Sequence, residues 1–249
     1  MLVGLVVGGL SYGAHRPEVL VQSVRFSGNA SLSDRELQSL IDEKLEGSYL
    51  FLFPKRNIFL YPKRGIEAAV LAAYPRLKHA EISSDSLSSV TFSVEEREPH
   101  ALWCGENYVG PSEGRGSCYF LDTTGFIFAK APDFSGNTYF RYYGPLTRGT
   151  PIGEQYADPS VFEQLSALVD GLKRTGIDGF AIALLDAPEA EFYLDSGGKI
   201  LFDRYQNPET LVDNIATVRA TEAFTQEDPA RLDYIDLRFG NKVYYKYRE

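Results

Sequence analysis

The stretch RLDYIDLRFGNKVYYKYRE, residues 231–249, alternates in side-chain character with a period of two, and does so twice. Leu232, Ile235, Leu237 and Phe239 are expected to share one face, with Asp236 and Arg238 on the other. After Gly240-Asn241 a second run sets Val243, Tyr245 and Tyr247 against Tyr244, Lys246 and Arg248. Two alternating runs joined by a two-residue Gly-Asn link read as a β-hairpin. Such a hairpin implies a sheet, and a last strand implies an edge whose outer side needs a partner or a cover.

Working outward, the 249-residue chain has a net charge of −9, which argues against non-specific nucleic-acid binding. Its apolar and aromatic content is ample for packed cores. The first residues, MLVGLVVGGLSYGA, are apolar and small. A helix of this length reaches about 20 Å, whereas a membrane span needs ~20 residues for a ~30 Å core. We read residues 1–16 as the remaining part of a single membrane anchor whose start is missing or misassigned. A signal peptide and a buried glycine-rich segment are the alternatives. The first two readings put the rest of the chain outside the cytoplasm.

Cys104 and Cys118 flank a polar, glycine-rich insert between apolar runs. If those runs are neighbouring strands, a disulfide closes the neck of the loop and contributes ~3 kcal/mol in the chain-entropy model. It persists only in an oxidising compartment. Two free thiols are the other reading. A zinc site needs four ligands, and His15, His79 and His100 are not spaced to supply them.

Residues 17–98 read as a strand (LVQSVRF), a helix, a second helix and two strands. Ser33 and Glu36 have capping-box spacing, and Leu32 and Leu37 that of a hydrophobic staple. Between the helices lies a duplication, FLFPKRNI (51–58) and FLYPKRGI (59–66). It reads either as an aromatic and basic patch near lipid headgroups or as a structured loop with solvated Lys and Arg, and we take the second as the expectation. Residues 99–249 read as β-rich with two helices, started at Asp158-Pro159 and Asn207-Pro208. The expected fold class is α+β.

Two stretches, YFLDTTGF and FYLDSGGK, have the look of aspartic-protease turns around Asp122 and Asp195. That chemistry needs two carboxylates sharing one proton. Asp122-Thr123-Thr124-Gly125 has one residue too many, and both stretches sit where hairpin turns are required. Plain turns are the expectation. No nucleophile triad, phosphate loop or dinucleotide fingerprint is present, so no enzyme, cofactor or small-molecule substrate is indicated.

Several stretches taken together carry a resemblance. VQSVRFSGNASLSDRELQSLI resembles the opening of a POTRA domain, and YPRLKHAEISSDSLSSVTFSVEEREPHALW resembles its exit. CYFLDTTGFIF and YIDLRFGNKVYYK resemble the first and closing hairpins of the domain that follows in FtsQ/DivIB-type bacterial division proteins. The order and spacing of these motifs run from Val19 to Lys246. The resemblance implies a POTRA domain over 17–98, an FtsQ/DivIB β domain over 99–249 and a single-pass membrane protein with its bulk extracytoplasmic, at the division septum. It implies a non-enzymatic scaffold whose partners are FtsB/DivIC-like and FtsL-like single-span proteins. By position, docking falls on Arg238, Phe239, Lys242, Val243, Tyr244, Tyr245, Lys246 and Tyr247. A POTRA-containing protein of secretion or outer-membrane assembly is the alternative, but no long array of membrane strands follows. The Cys104–Cys118 pair and the duplication depart from the family pattern.

Overall fold

The computed structural model describes residues 2–108, 110, 116–134, 136–221, 224, 228–240 and 242–248. They form two compact units, Met1–Arg97 and Glu98–Glu249, and the chain as a whole is mixed α+β. The apolar start is helix α1 (Leu2–Ala14), 13 residues with none buried. No helix among the described residues is long and apolar enough to cross a membrane. The segment expected to be an anchor is, as described, a short apolar helix. Its last turn is tied down: Ser11 Oγ donates to the Leu52 carbonyl at 2.7 Å, and Asn57 Nδ2 donates to the Ala14 carbonyl at 3.0 Å.

The rest of the first unit follows the expected strand–helix–helix–strand–strand order, with β1 (Ser23–Ser27) and α2 (Asp34–Leu45) first. The capping box forms as read: Ser33 Oγ accepts from the Glu36 N–H, and the Glu36 carboxylate accepts from the Ser33 N–H. Leu37, Ile41 and Leu45 make the buried stripe of α2. Gly28 ends β1 at φ +83°, and a Cβ there would lie 2.0 Å from the Val94 carbonyl oxygen, so only glycine fits the turn.

The duplication adds a small hairpin that the sequence pattern did not suggest. β2 (Ser48–Tyr49) pairs antiparallel with β3 (Phe53–Pro54). The Leu52 N–H donates to the Tyr49 carbonyl at 3.0 Å, closing a tight turn around Leu50 and Phe51. Both residues are left-handed, at φ 50° and 62°. This is the I′ pattern, which favours Asn-Gly because a β-carbon costs about 1–2 kcal/mol there. The second copy instead runs into α3 (Lys63–Ala73). The copies differ in backbone but share a burial pattern: Ile58 and Ile66 are core, while Phe51 and Phe59 are 97% and 72% exposed. β4 (Leu77–Ser84) and β5 (Ser89–Glu96) complete a sheet of order β1-β5-β4, with β1 parallel to β5. Its inner residues share one core with α2 and α3.

The second unit is built on a nine-stranded sheet. β6 (Ala101–Trp103), β7 (Tyr119–Leu121) and β8 (Ile127–Lys130) form an antiparallel meander. The stretch NTYFRYYG contributes only β9 (Arg141–Tyr143), which is parallel to β6. After α4 (Pro159–Arg174) come β10 (Gly179–Leu184), β11 (Glu189–Leu194) and β12 (Lys199–Asp203). Helix α5 (Pro208–Arg219) then returns the chain to β13 (Leu232–Phe239), parallel to β12, and β14 (Lys242–Tyr247). The order across the sheet is β14-β13-β12-β11-β10-β9-β6-β7-β8. Phe162, Leu165, Leu168 and Leu172 of α4, with Leu211 and Ile215 of α5, share one core with the inward residues of the sheet. Asn207 caps α5 by accepting from the Glu209 and Thr210 N–H groups. Asp158 does not cap α4 as the sequence suggests; its carboxylate accepts from the Ser160 hydroxyl instead.

The I′ tip yields a stability prediction. Replacing Leu50 by Asn and Phe51 by Gly together raises unfolding free energy by about 1–2 kcal/mol in lipid-free buffer. Urea denaturation of the two proteins measures this, and equal midpoints would refute the strain.

Candidate functional site

The closing hairpin places β14 at one end of the nine-strand order, with no described strand on its far side. The opposite end is different. There the Ile127 N–H donates to the Glu154 carbonyl at 2.9 Å, and the Ile127 carbonyl accepts from the Gly153 N–H at 2.8 Å, so residues 153–154 bond the outer side of β8 at its first residue. An open strand offers a row of backbone donors and acceptors to an added strand. Asn241, the second residue of the expected link, lies outside the described residues.

The two faces of the hairpin are not those of simple alternation. Irregularities between Leu232 and Tyr234 and between Asp236 and Phe239 shift the register of β13 against β14. Leu232, Ile235 and Leu237 are buried as expected, but Phe239 is 56% exposed and does not join them. Asp236 is only 5% exposed although it points away from the apolar core. On β14, Val243 and Tyr247 pack against the core. Tyr245, expected on the same face as those two, is exposed and leans on Phe224 at 4.7 Å between ring centres. Tyr244 is exposed and meets Phe239 edge-on at 5.3 Å.

Arg238 is not free. Its Nε and Nη2 donate to the two oxygens of Asp236 at 2.9 and 2.7 Å, and Nη1 donates to Glu189 of β11. The Arg238 N–H also donates to Asp236. The guanidinium of Arg238, on which the resemblance places docking, is therefore already engaged by the chain's own acids. Burial pushes the Asp236 carboxyl up, but the Arg238 guanidinium and N–H outweigh it and hold the group below its ordinary range. Arg248 is engaged in turn by Asp233 at 3.7 Å. Lys242 and Lys246 are exposed and make no ion pair among the described residues. The cations on offer at the edge are thus the two lysines.

No protein-family model matches the chain, and no curated protein is significantly similar to it.

Elsewhere on the open face, Cys104 and Cys118 form a disulfide joining the end of β6 to the start of β7. The loop they close lays Tyr108 over Tyr193 at 4.1 Å and near Tyr143 at 5.4 Å. These rings wall a cleft of about 680 Å³, with Arg141, Asp195 and Lys199 on its rim. Burial, together with a hydrogen bond to Glu191, drives the Tyr193 phenol well above its ordinary range, so it stays neutral. Lys199 holds the other Glu191 oxygen at 2.6 Å.

Asp122 and Asp195 do not meet. Asp122 is buried in the β7–β8 turn, where one oxygen accepts from the Thr124 N–H, the Thr124 hydroxyl and the Phe126 N–H. Asp195 lies after β11 and accepts from Asn137. Four interstrand spacings separate β7 from β11, roughly 19 Å at ~4.8 Å each. Carboxylates that far apart share no proton. Among the described residues no cluster of His, Cys, Asp and Glu suits a metal ion.

The Asp236–Arg238 pair was readable in part: an acid and an arginine two apart on a strand share a face. Glu189, distant in sequence, was not. Asp236→Asn is expected to cost ~2 kcal/mol at neutral pH, the scale of a charge-assisted hydrogen bond. Because the folded-state carboxyl is lowered, its contribution is present above the unfolded value of 3.8 and lost as pH falls through the folded value. Urea titrations at neutral and strongly acid pH should show the deficit of the variant shrinking on acidification. A deficit independent of pH would refute the pair.

Proposed function

We propose that this chain is a non-enzymatic scaffold of the FtsQ/DivIB type, which gathers FtsB/DivIC-like and FtsL-like single-span proteins at the division septum. The reading rests on the order of motifs from Val19 to Lys246 and, above all, on one observation: among the described residues β14 is an open sheet edge. Open edges are a hazard that proteins usually blunt. Here the edge carries exposed Tyr244 and Tyr245 with Phe239 beside them, and aromatic side chains of this kind are enriched at interfaces. An extended partner segment adds to β14 through backbone hydrogen bonds. Lys242 and Lys246 favour acidic residues flanking that segment.

In this scheme Arg238 organises the edge rather than reaching out from it. Its substitution strands a buried Asp236, so it tests folding more than docking. The disulfide supports an oxidising compartment, and α1 is the part of the chain directed to the membrane.

The test is binding of the full chain to the extracytoplasmic segment of its own organism's FtsB/DivIC-like protein. Tyr244→Glu combined with Lys246→Glu leaves the buried hairpin residues in place. It is expected to weaken binding at least about tenfold, the scale of losing one interface anchor, with an unchanged circular-dichroism spectrum. Full affinity in this folded variant would overturn docking at β14.

A further inference from the structure

Beyond α1, the large apolar side chains left exposed in the first unit fall almost entirely in one segment. They are Tyr49, Leu50, Phe51, Leu52, Phe59 and Leu60, with Leu87 alone outside it. Three independent features mark this segment. Leu50 and Phe51 occupy left-handed positions where Asn-Gly would be easier, so their apolar bulk is kept against backbone preference. The duplication repeats the arrangement, each copy sending its leading Phe outward and its closing Ile inward. And residues 48–66 hold Lys55, Arg56, Lys63 and Arg64 with no Asp or Glu, in a chain whose net charge is −9.

The segment is also joined to α1. Ser11 holds the tip through the Leu52 carbonyl, and Ala14, one turn on, accepts from Asn57. The Leu60 N–H in turn donates to the Asn57 carbonyl. The hairpin tip and the Phe59-Leu60 turn are therefore both fastened at the C-terminal end of an apolar helix with no buried residue. Arg56 is spent on Asp42 and Lys63 on Glu81, but Lys55 and Arg64 make no ion pair among the described residues.

We propose that the Leu50-Phe51 tip inserts into the interfacial layer of an anionic lipid membrane, with Phe59-Leu60 alongside and Lys55 and Arg64 at the headgroups. Apolar wedges flanked by basic residues bind such surfaces through buried apolar area plus attraction to anionic lipid. The first unit is then held against the bilayer at two places, α1 and the tip, which fixes its tilt and not only its distance from the lipid. This extends the membrane attachment put forward above and does not depend on docking at β14.

The experiment uses the full chain carrying Phe51→Trp. The chain's single tryptophan, Trp103, is 7% exposed and gives a constant background. Leu87→Trp serves as an exposed control in the same unit. Each protein is mixed with phosphatidylcholine vesicles, with and without phosphatidylglycerol, bearing brominated acyl chains. The tip tryptophan is expected to shift to the blue and lose roughly half its intensity in the anionic vesicles, as for a side chain lying ~5–10 Å into the boundary. The Leu87→Trp signal is expected to stay put. A chain that sediments with vesicles while its tip tryptophan remains open to aqueous iodide overturns this inference and leaves attachment through α1 standing. No sedimentation overturns both. A blue shift without vesicles that grows with protein concentration assigns the patch to a second copy and overturns the lipid reading.

Discussion

A carboxylate held charged at 5% exposure must be gripped, and Asp236 is gripped by the guanidinium two residues further along its own strand. The end of the sheet depends on this contact. β13 is the last strand paired on both sides, parallel to β12 and antiparallel to β14. Its open-face end would carry an unpaired charge without Arg238. By also reaching Glu189 on β11, Arg238 spans β12 and ties three strands together. The hairpin is thereby held by charged hydrogen bonds near its tip end and exposed along β14. In the proposed scheme a strand adding to β14 would meet a template held in place, so less conformational entropy would be lost on binding.

Nearly every element of the fold was legible, because alternation and capping are local signals. Ser33–Glu36 and Asn207 act as read, and the strands expected within residues 17–98 and in the closing hairpin exist. Asp158 shows the limit of such signals: a residue of the right type at the right place can spend its oxygen on a neighbouring hydroxyl. The arrangement of the strands was less legible. Nothing in NTYFRYYG says that Arg141–Tyr143 enters parallel between β6 and β10, since that position is set by a sheet assembled from distant segments. The hairpin faces failed at Phe239 and Asp236 for a related reason: an irregularity in register defeats a strict period of two. The shape of the β2–β3 turn was hidden because Leu50-Phe51 is the opposite of what such a turn asks for.

The duplication shows how identity of sequence and identity of structure separate. FLFPKRNI ends in a loop and FLYPKRGI in a helix, because the context after each differs. What survives copying is the partition of side chains between core and solvent, with Ile58 and Ile66 inside. The core selects for that partition, whereas the exposed phenylalanines contribute nothing to it.

The nine-stranded sheet ends differently on its two sides. Residues 153–154 bond the first residue of β8 on its outer flank, whereas no described strand flanks β14. A sheet with two vacant flanks can polymerise, each copy receiving one neighbour and donating to the next. Growth of that kind through this sheet would have to displace residues 153–154 from Ile127, so strand addition at β14, as proposed, is not readily passed from copy to copy through β8.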